Sequence, residues 1–421
     1  LLWPTEFSRD TLTLCYDASF GDTTIDASAF LNTSELWRDE AGWAENDNTK
    51  AWVAVVTGEA ENSGFNIIAN TVINFDVEHD LTYGIDWVDY ETSYRADAYS
   101  GTAQVSSEDA VHVGIFLEDM IDLGNGFTLT PGIRYDQFDI TSKVVDDDFN
   151  DLLWAMAVSY QATNNLLFKL SATELFKGPE IGEVFTGAGL SDKENSDIQA
   201  ESGVNTEFSF AYQDAVLGAD ALSFGATFFQ TNIDDYIYDY APIPNGGPRD
   251  YWKDNIGEME IDGYEVYWGY QLGGFSALIT YSNAESELSA FSDYATLEGA
   301  RLDRQQGDTV SARFDYQFTD IDLDLHWEVL NVDDVKSALD LDGASVDNSK
   351  DGYTVHNISA RWVPATMPEL MVIVGVDNLF DEFYASQSSR TGVSFHGRFG
   401  NLFLTDYEPG RNIKATIAYQ F

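Results

Sequence analysis

Apolar and polar residues alternate with a period of two along most of this chain, and a helical period is nearly absent. The final segment shows it best: Ile413, Ala415, Ile417, Tyr419 and Phe421 fall on one face, Asn412, Lys414, Thr416 and Gln420 on the other. The same alternation recurs at Val111, Val113, Ile115 and Leu117, at Tyr264, Val266, Trp268 and Tyr270, and at Ile321, Leu323, Leu325, Trp327 and Val329. Roughly eighteen such runs predict strands, more than the ~10 an open sheet usually holds before it curls or splits. The predicted fold is all-β, a closed antiparallel barrel.

The connections place that barrel in a membrane. Outer-membrane barrels have short turns on the periplasmic side and long loops outside, and short and long links alternate here. Short links are predicted at Leu123-Gly124-Asn125-Gly126, Thr163-Asn164-Asn165, Leu217-Gly218-Ala219-Asp220, Leu272-Gly273-Gly274 and Thr319-Asp320, most of them rich in turn-forming Gly, Asn or Asp. Long polar segments lie around 177–202, 239–256, 285–305, 335–351 and 385–409. With Phe421 at the periplasmic end, counting strands backwards puts every long segment outside. Closure has a physical cause, because in hydrocarbon each backbone N–H and C=O needs an internal partner and only a closed sheet has no free edge. One face then suits lipid and the other water, with Tyr, Trp and Phe near strand ends forming interfacial girdles. A propeller would also supply many strands, but no fixed period or blade signature is present.

Composition narrows the function. Lys+Arg of 21 against Asp+Glu of 72 gives a formal charge of -51 over 421 residues, which excludes a nucleic-acid partner by repulsion. At 44% hydrophobic and 14% aromatic the chain is too apolar to stay disordered. The single cysteine, Cys15, excludes an internal disulfide framework and is read as a small packed hydrophobe. No stretch approaches the ~18 apolar residues of a membrane helix. Leu1-Leu2-Trp3-Pro4 has neither the basic nor the apolar region of a signal peptide. Residues 1–421 are expected to form one barrel unit.

Several segments resemble TonB-dependent receptors, the ligand-gated transporters of the Gram-negative outer membrane. They are Val376-Asp377-Asn378-Leu379-Phe380-Asp381, Tyr407-Glu408-Pro409-Gly410-Arg411 with the final Tyr419-Gln420-Phe421, and Leu129-Thr130-Pro131-Gly132-Ile133-Arg134-Tyr135-Asp136. Glu174-Leu175-Phe176-Lys177-Gly178-Pro179 and Ile181-Gly182-Glu183-Val184-Phe185 add to them, and the resemblance runs from about residue 80 to the end. Phe176, Gly178 and Pro179 sit in a box similar to the Phe-Arg-Ala-Pro box of haem receptors. Asn195, Asp197 and Glu201 lie in a segment similar to the Asn-Pro-Asn-Leu box beyond it. Haem receptors often place a ligand histidine between the boxes, whereas none occurs here between residues 177 and 207. The resemblance implies a barrel of about 22 strands enclosing a plug. Neither a plug nor a TonB-engaging box is found in this chain, so the plug and some early strands are expected to lie outside it.

Haem iron is commonly held by His, Tyr, Cys or Met, which directs attention to the five histidines. His79, in a predicted periplasmic turn, and His356, on a face with Ile358, Ala360 and Trp362, read as structural. His326 alternates with Asp322, Asp324 and Glu328 and faces the lumen. The candidate ligand contacts are His112, pointing inward near the outer end of its strand, His396 in the last external loop, and Tyr236, Tyr238 and Tyr240, which continue a strand upward; solvation and girdle anchoring are the competing readings. Asp146-Asp147-Asp148 and Asp333-Asp334 lack the calcium-loop pattern and read as hydrated loop. No nucleophile elbow, metalloprotease helix or phosphate loop is present, so no enzyme is expected.

The resemblance implies active uptake of a scarce iron compound, haem or a ferric siderophore, across the outer membrane. It implies partners in outer-membrane lipid and lipopolysaccharide, in the TonB complex reached through a plug, and in a possible haem-carrier protein. Haem or the ferric chelate is cargo, not a resident cofactor. The alternative is a passive porin or a structural adhesin.

Overall fold

The computed structural model describes residues 4–41, 54–98, 101, 103–179, 193–247, 251–302, 305–337, 345–347, 349–388, 393–396, 400–403 and 407–420. The first half carries β1 (Thr5–Phe20), β2 (Thr23–Asp39), β3 (Ala54–Asn74), β4 (Glu78–Ala98), β5 (Ala103–Gly124), β6 (Phe127–Thr141), β7 (Asp146–Thr163), β8 (Leu166–Lys177) and β9 (Glu201–Asp214). There follow β10 (Ala221–Pro242), β11 (Tyr251–Leu272), β12 (Phe275–Ala290), the 3-10 turn Ser292–Leu297, β13 (Thr309–Phe318), β14 (Leu323–Val332) and β15 (Ser345–Asp347). The last are β16 (Tyr353–Trp362), β17 (Leu370–Asp377), β18 (Val393–His396), β19 (Gly400–Phe403) and β20 (Asn412–Tyr419).

Seventeen strands form one sheet in which each pairs antiparallel with its chain neighbour, while β15, β18 and β19 form a separate three-stranded sheet. Alternation sorts the side chains into two faces. One row across five strands is Ile67, Ile85, Ile115, Tyr135 and Leu152, and another is Phe314, Trp327, Ile358, Val376 and Ile413. Several of these rings and branched chains stay open, Trp327 at 43% and Ile413 at 71% exposure. A face this apolar and this uncovered is suited to hydrocarbon, since water would penalise each Å² by ~25 cal/mol. The row behind the first is Asn66, Asp86, Gly114, Asp136 and Asp151, so the opposite face is polar.

All five predicted short links are tight connections between sheet neighbours, at one end of the sheet. Asn125 and Leu217 take left-handed φ values of 55° and 57° there. The opposite end is uneven. Strands β5, β10 and β11 run 22 residues while β17 and β20 run 8, which at ~3.3 Å per residue is about 70 Å against about 27 Å.

Several expectations change. The segment 239–256 is not loop throughout: β10 runs on to Pro242, β11 starts at Tyr251, and the two stay paired. Likewise β12 continues to Ala290 before the 3-10 turn. Polar composition concealed these strand extensions because backbone pairing needs no apolar side chain. The main sheet has seventeen strands, in keeping with the roughly eighteen expected, but it does not close: among the described strands β1 pairs with β2 alone and β20 with β17 alone. Phe421 lies outside the described residues.

Candidate ligand surface at the long-loop end

His112 faces the polar side of β5, opposite Val88 and Phe138. Its partner Phe138 is close to the end of β6, but His112 itself lies nine residues below the end of its own strand β5, not near that end as the alternation suggested. Its ring is engaged. Nε2 lies 2.8 Å from Asp136 Oδ1 and Nδ1 3.7 Å from Asp86 Oδ2. Arg134 bridges the same carboxylates, donating to Asp136 at 2.6 and 2.7 Å and to Asp86 at 3.0 and 3.2 Å. Gly114 makes this possible, because a Cβ there would stand 1.9 Å from Arg134 Nη2. The family-like Arg134-Tyr135-Asp136 run thus supplies half of a four-residue ionic network, and a ligand contact by His112 meets Asp136 at Nε2 or Asp86 at Nδ1.

The two boxes meet the loops around this network. Gly178 and Pro179 are buried, and a Cβ on Gly178 would press to 2.3 Å from the Phe138 ring. Phe176 sits half-buried near the end of β8, and 181–185 lies outside the described residues. The second box forms a cross-tie. Asn195 Nδ2 donates to Lys253 O and Asp254 Oδ1, each at 2.9 Å, and its N–H reaches Val144 O at 2.8 Å. The Asp197 N–H donates to Asn195 Oδ1 at 3.3 Å, a local turn. Asn255 and Gln199 exchange two bonds of 2.7 and 3.1 Å, and Glu201 accepts the Ile237 N–H at 2.7 Å. Between them Ile198, 1% exposed, packs with Ala110, Ile140 and Val145, next to Phe138, Phe149 and Ile237. The segment therefore connects β5–β7 to β10–β11 above the shorter β8 and β9.

Tyr236 and Tyr238 do not continue β10 in simple alternation. Asp235 takes φ 55°, and the pairing with β11 shifts between Ile233 and Tyr236, again to Ile237, and between Tyr238 and Ala241. Both rings pack against a buried cluster of Ala241, Ile256, Met259, Leu288, Tyr294, Leu297 and Ala300. The side chains of Tyr240 and His396 lie outside the described residues; the His396 backbone pairs with Gly400. The other histidines are held by neighbouring side chains. His79, in the first turn-side residues of β4 and not in the turn itself, pairs with Asp119 at 2.8 Å. His326 is held by Asp315 at 2.7 Å on the polar face. His356 accepts from Trp327 Nε1 at 3.3 Å and meets Phe380 edge-on at 4.8 Å.

Sequence reasoning missed two polar junctions. The Asp254 carboxylate accepts the Tyr294 hydroxyl, which in turn accepts Trp252 Nε1 at 3.0 Å. Burial, and then the carboxylate beside it, hold the Tyr294 phenol above its ordinary pKa. Gln387, 0% exposed, accepts Gly307 N–H at 2.8 Å and donates to Asp333 O and Asp351 O, while Lys350 donates to Gln305 O and Gln387 O. Each joins segments 36 to 80 residues apart in sequence, beyond the reach of any local pattern.

The arrangement has counterparts. A solved structure of the FrpB iron transporter from Neisseria meningitidis superposes with a TM-score of 0.77 at 21% identity, over 99% of this chain and 63% of that one. The vitamin B12 transporter BtuB of Photobacterium profundum is 23% identical over 89% of this chain and 57% of its own length. The heme transporter BhuA of Brucella ovis is 22% identical over 100% of this chain and 59% of its own. The chain thus spans somewhat over half the length of these relatives. The sequence model described as "TonB dependent receptor-like, beta-barrel" matches residues 3–379, and on that match the chain belongs to this family of TonB-dependent receptor barrels.

Proposed function

We propose that residues 1–421 form most of the wall of a closed outer-membrane barrel, completed by further strands between β20 and β1 and filled by a plug. Its work is TonB-dependent uptake of a scarce iron compound, haem or a ferric siderophore. The observation that carries this reading is a sheet apolar on one face and polar on the other, with every long connection at one end, in a chain of this receptor family. That β1 pairs with β2 alone and β20 with β17 alone among the described strands supports closure by additional strands, because an open sheet edge is not tolerated in hydrocarbon. The loops with Tyr236, Tyr238, Tyr240 and His396, and the polar face near His112, are the ligand surface. Because both ring nitrogens of His112 face carboxylates, Nε2 at Asp136 and Nδ1 at Asp86, stacking and hydrogen bonding are favoured over ligation by this histidine. A charge of -51 repels a free anionic chelate at long range, so capture rests on close contacts or on delivery by a carrier protein. Lipopolysaccharide surrounds the long-loop end, and pulling on the plug by the TonB complex opens the passage. Growth on hemin or on ferric enterobactin as sole iron source, in strains with and without TonB, tests the reading. Growth that depends on the receptor and vanishes without TonB is expected; receptor-dependent growth that persists without TonB would make it a passive pore.

A further inference from the structure

We propose that Asp254 is the positioning residue of the ligand surface, a single carboxylate that fixes two separate loops against β11; this rests on the transport reading above. Its Oδ1 accepts from Asn195 Nδ2 and from the Asn255 N–H, each at 2.9 Å, and its Oδ2 accepts from the Tyr294 hydroxyl. Asn195 is 59 residues away and Tyr294 is 40 away, one before β9 and the other in the 3-10 turn after β12. Bonds to an ionised acceptor are the shorter and stronger kind, and three of them converge here.

Both loops matter to the surface. The Asn195 side carries Ile198, whose burial locks the segment against β5, β6 and β10. The Tyr294 side belongs to the cluster on which Tyr236 and Tyr238 pack. Asp254 thereby sets the tyrosines and the cross-tie in one geometry without itself touching ligand. Asn255, which exchanges two bonds with Gln199, holds the tie in the same register.

The test uses the full-length receptor with Asp254→Ala and Asp254→Asn. Without ligand, amide exchange at Asn195 and Gln199 should accelerate at least tenfold in Asp254→Ala and stay within about threefold of the parent in Asp254→Asn, whose amide retains an acceptor oxygen. Hemin, ferric enterobactin and cyanocobalamin are then titrated. For whichever probe the parent binds, Asp254→Ala should raise Kd at least tenfold while the maximal uptake rate stays within twofold, with Asp254→Asn restoring affinity. Parent-like exchange in Asp254→Ala, or faster exchange with an unchanged Kd, overturns the proposal. A parent that binds none of the three probes sinks the transport reading instead, and the exchange measurement still decides whether Asp254 orders the two loops. If Asp254→Ala does not assemble, Tyr294→Phe removes one of the three donors; amide exchange is then read on its own side, at Tyr294 and Ala300, with the same Kd measurement, and parent-like values of both overturn the proposal.

Discussion

Replacing Ile133 by Arg puts a cation on the apolar face of β6, between Leu117 on β5 and Trp154 on β7. Ile133 is 48% exposed, so about half of its side chain faces hydrocarbon in the proposed membrane. Losing that half removes roughly 1 kcal/mol of the ~1.5–3 kcal/mol that a fully buried isoleucine contributes. Arg at the lipid face near the midplane adds about 2 to 4 kcal/mol, for a total near 3 to 5 kcal/mol, or about two to three and a half decades in the folding equilibrium. Thr130, three residues earlier on the opposite face, pairs with Ala157, and Thr130→Arg keeps its guanidinium in water. It should change stability by less than ~1 kcal/mol. Urea titration of the refolded protein in phospholipid vesicles, with gel mobility of unheated samples as a second readout, measures both. Equal losses for the two variants would refute the assignment of faces, and with it the membrane reading.

Ile198→Ala should lower the stability of the long-loop end by about 2 to 5 kcal/mol, seen as faster amide exchange at Asn195 and Gln199 with the strand amides of β3–β5 unchanged. Gly114→Ala should expel the Arg134 guanidinium from its two carboxylates and destabilise by about 1 to 3 kcal/mol; a structure of the variant with both ion pairs intact would contradict it. The raised pKa of Tyr294 keeps its phenol protonated in the fold, so its contribution is fully present below the unfolded value near 10 and is lost as pH rises beyond it. Tyr294→Phe should abolish that part of the alkaline destabilisation in near-ultraviolet dichroism. Replacing His112 and His396 together with Ala should weaken hemin binding if both touch it, and unchanged affinity would remove both from the ligand surface.

Period-two patterning carried the strands, faces and turns because each depends on residues within one or two positions. The terminal strand is the clearest case: Ile413 and Ile417 lie opposite Val376 and Val372, and Lys414 ion-pairs with Asp377. Patterning failed where the period itself broke. At Asp234-Asp235 a bulge with a left-handed Asp235 resets the register, so Tyr236 and Tyr238 could not be extrapolated from the strand below. The family-like boxes drew attention to Asn195 and Glu201, but their work is to bond Asp254, Lys253 and Ile237, partners named by no short-range signal. Asp254 and Gln387 are ordinary loop residues in the sequence. Their importance exists only after the chain has brought three distant segments together.

The unequal strand lengths make the protein mechanically lopsided. At β3–β5 unbroken ladders of about 20 paired residues run the whole length of the strands, and bending them means breaking many backbone bonds at once. On the side of β16, β17 and β20 the ladders stop within 8 to 10 residues, and what stands above is the small sheet of β15, β18 and β19, separate from the main one. Compliance is therefore concentrated on the low side. A distorting load on the sheet would be taken up there, while the longer ladders keep their form.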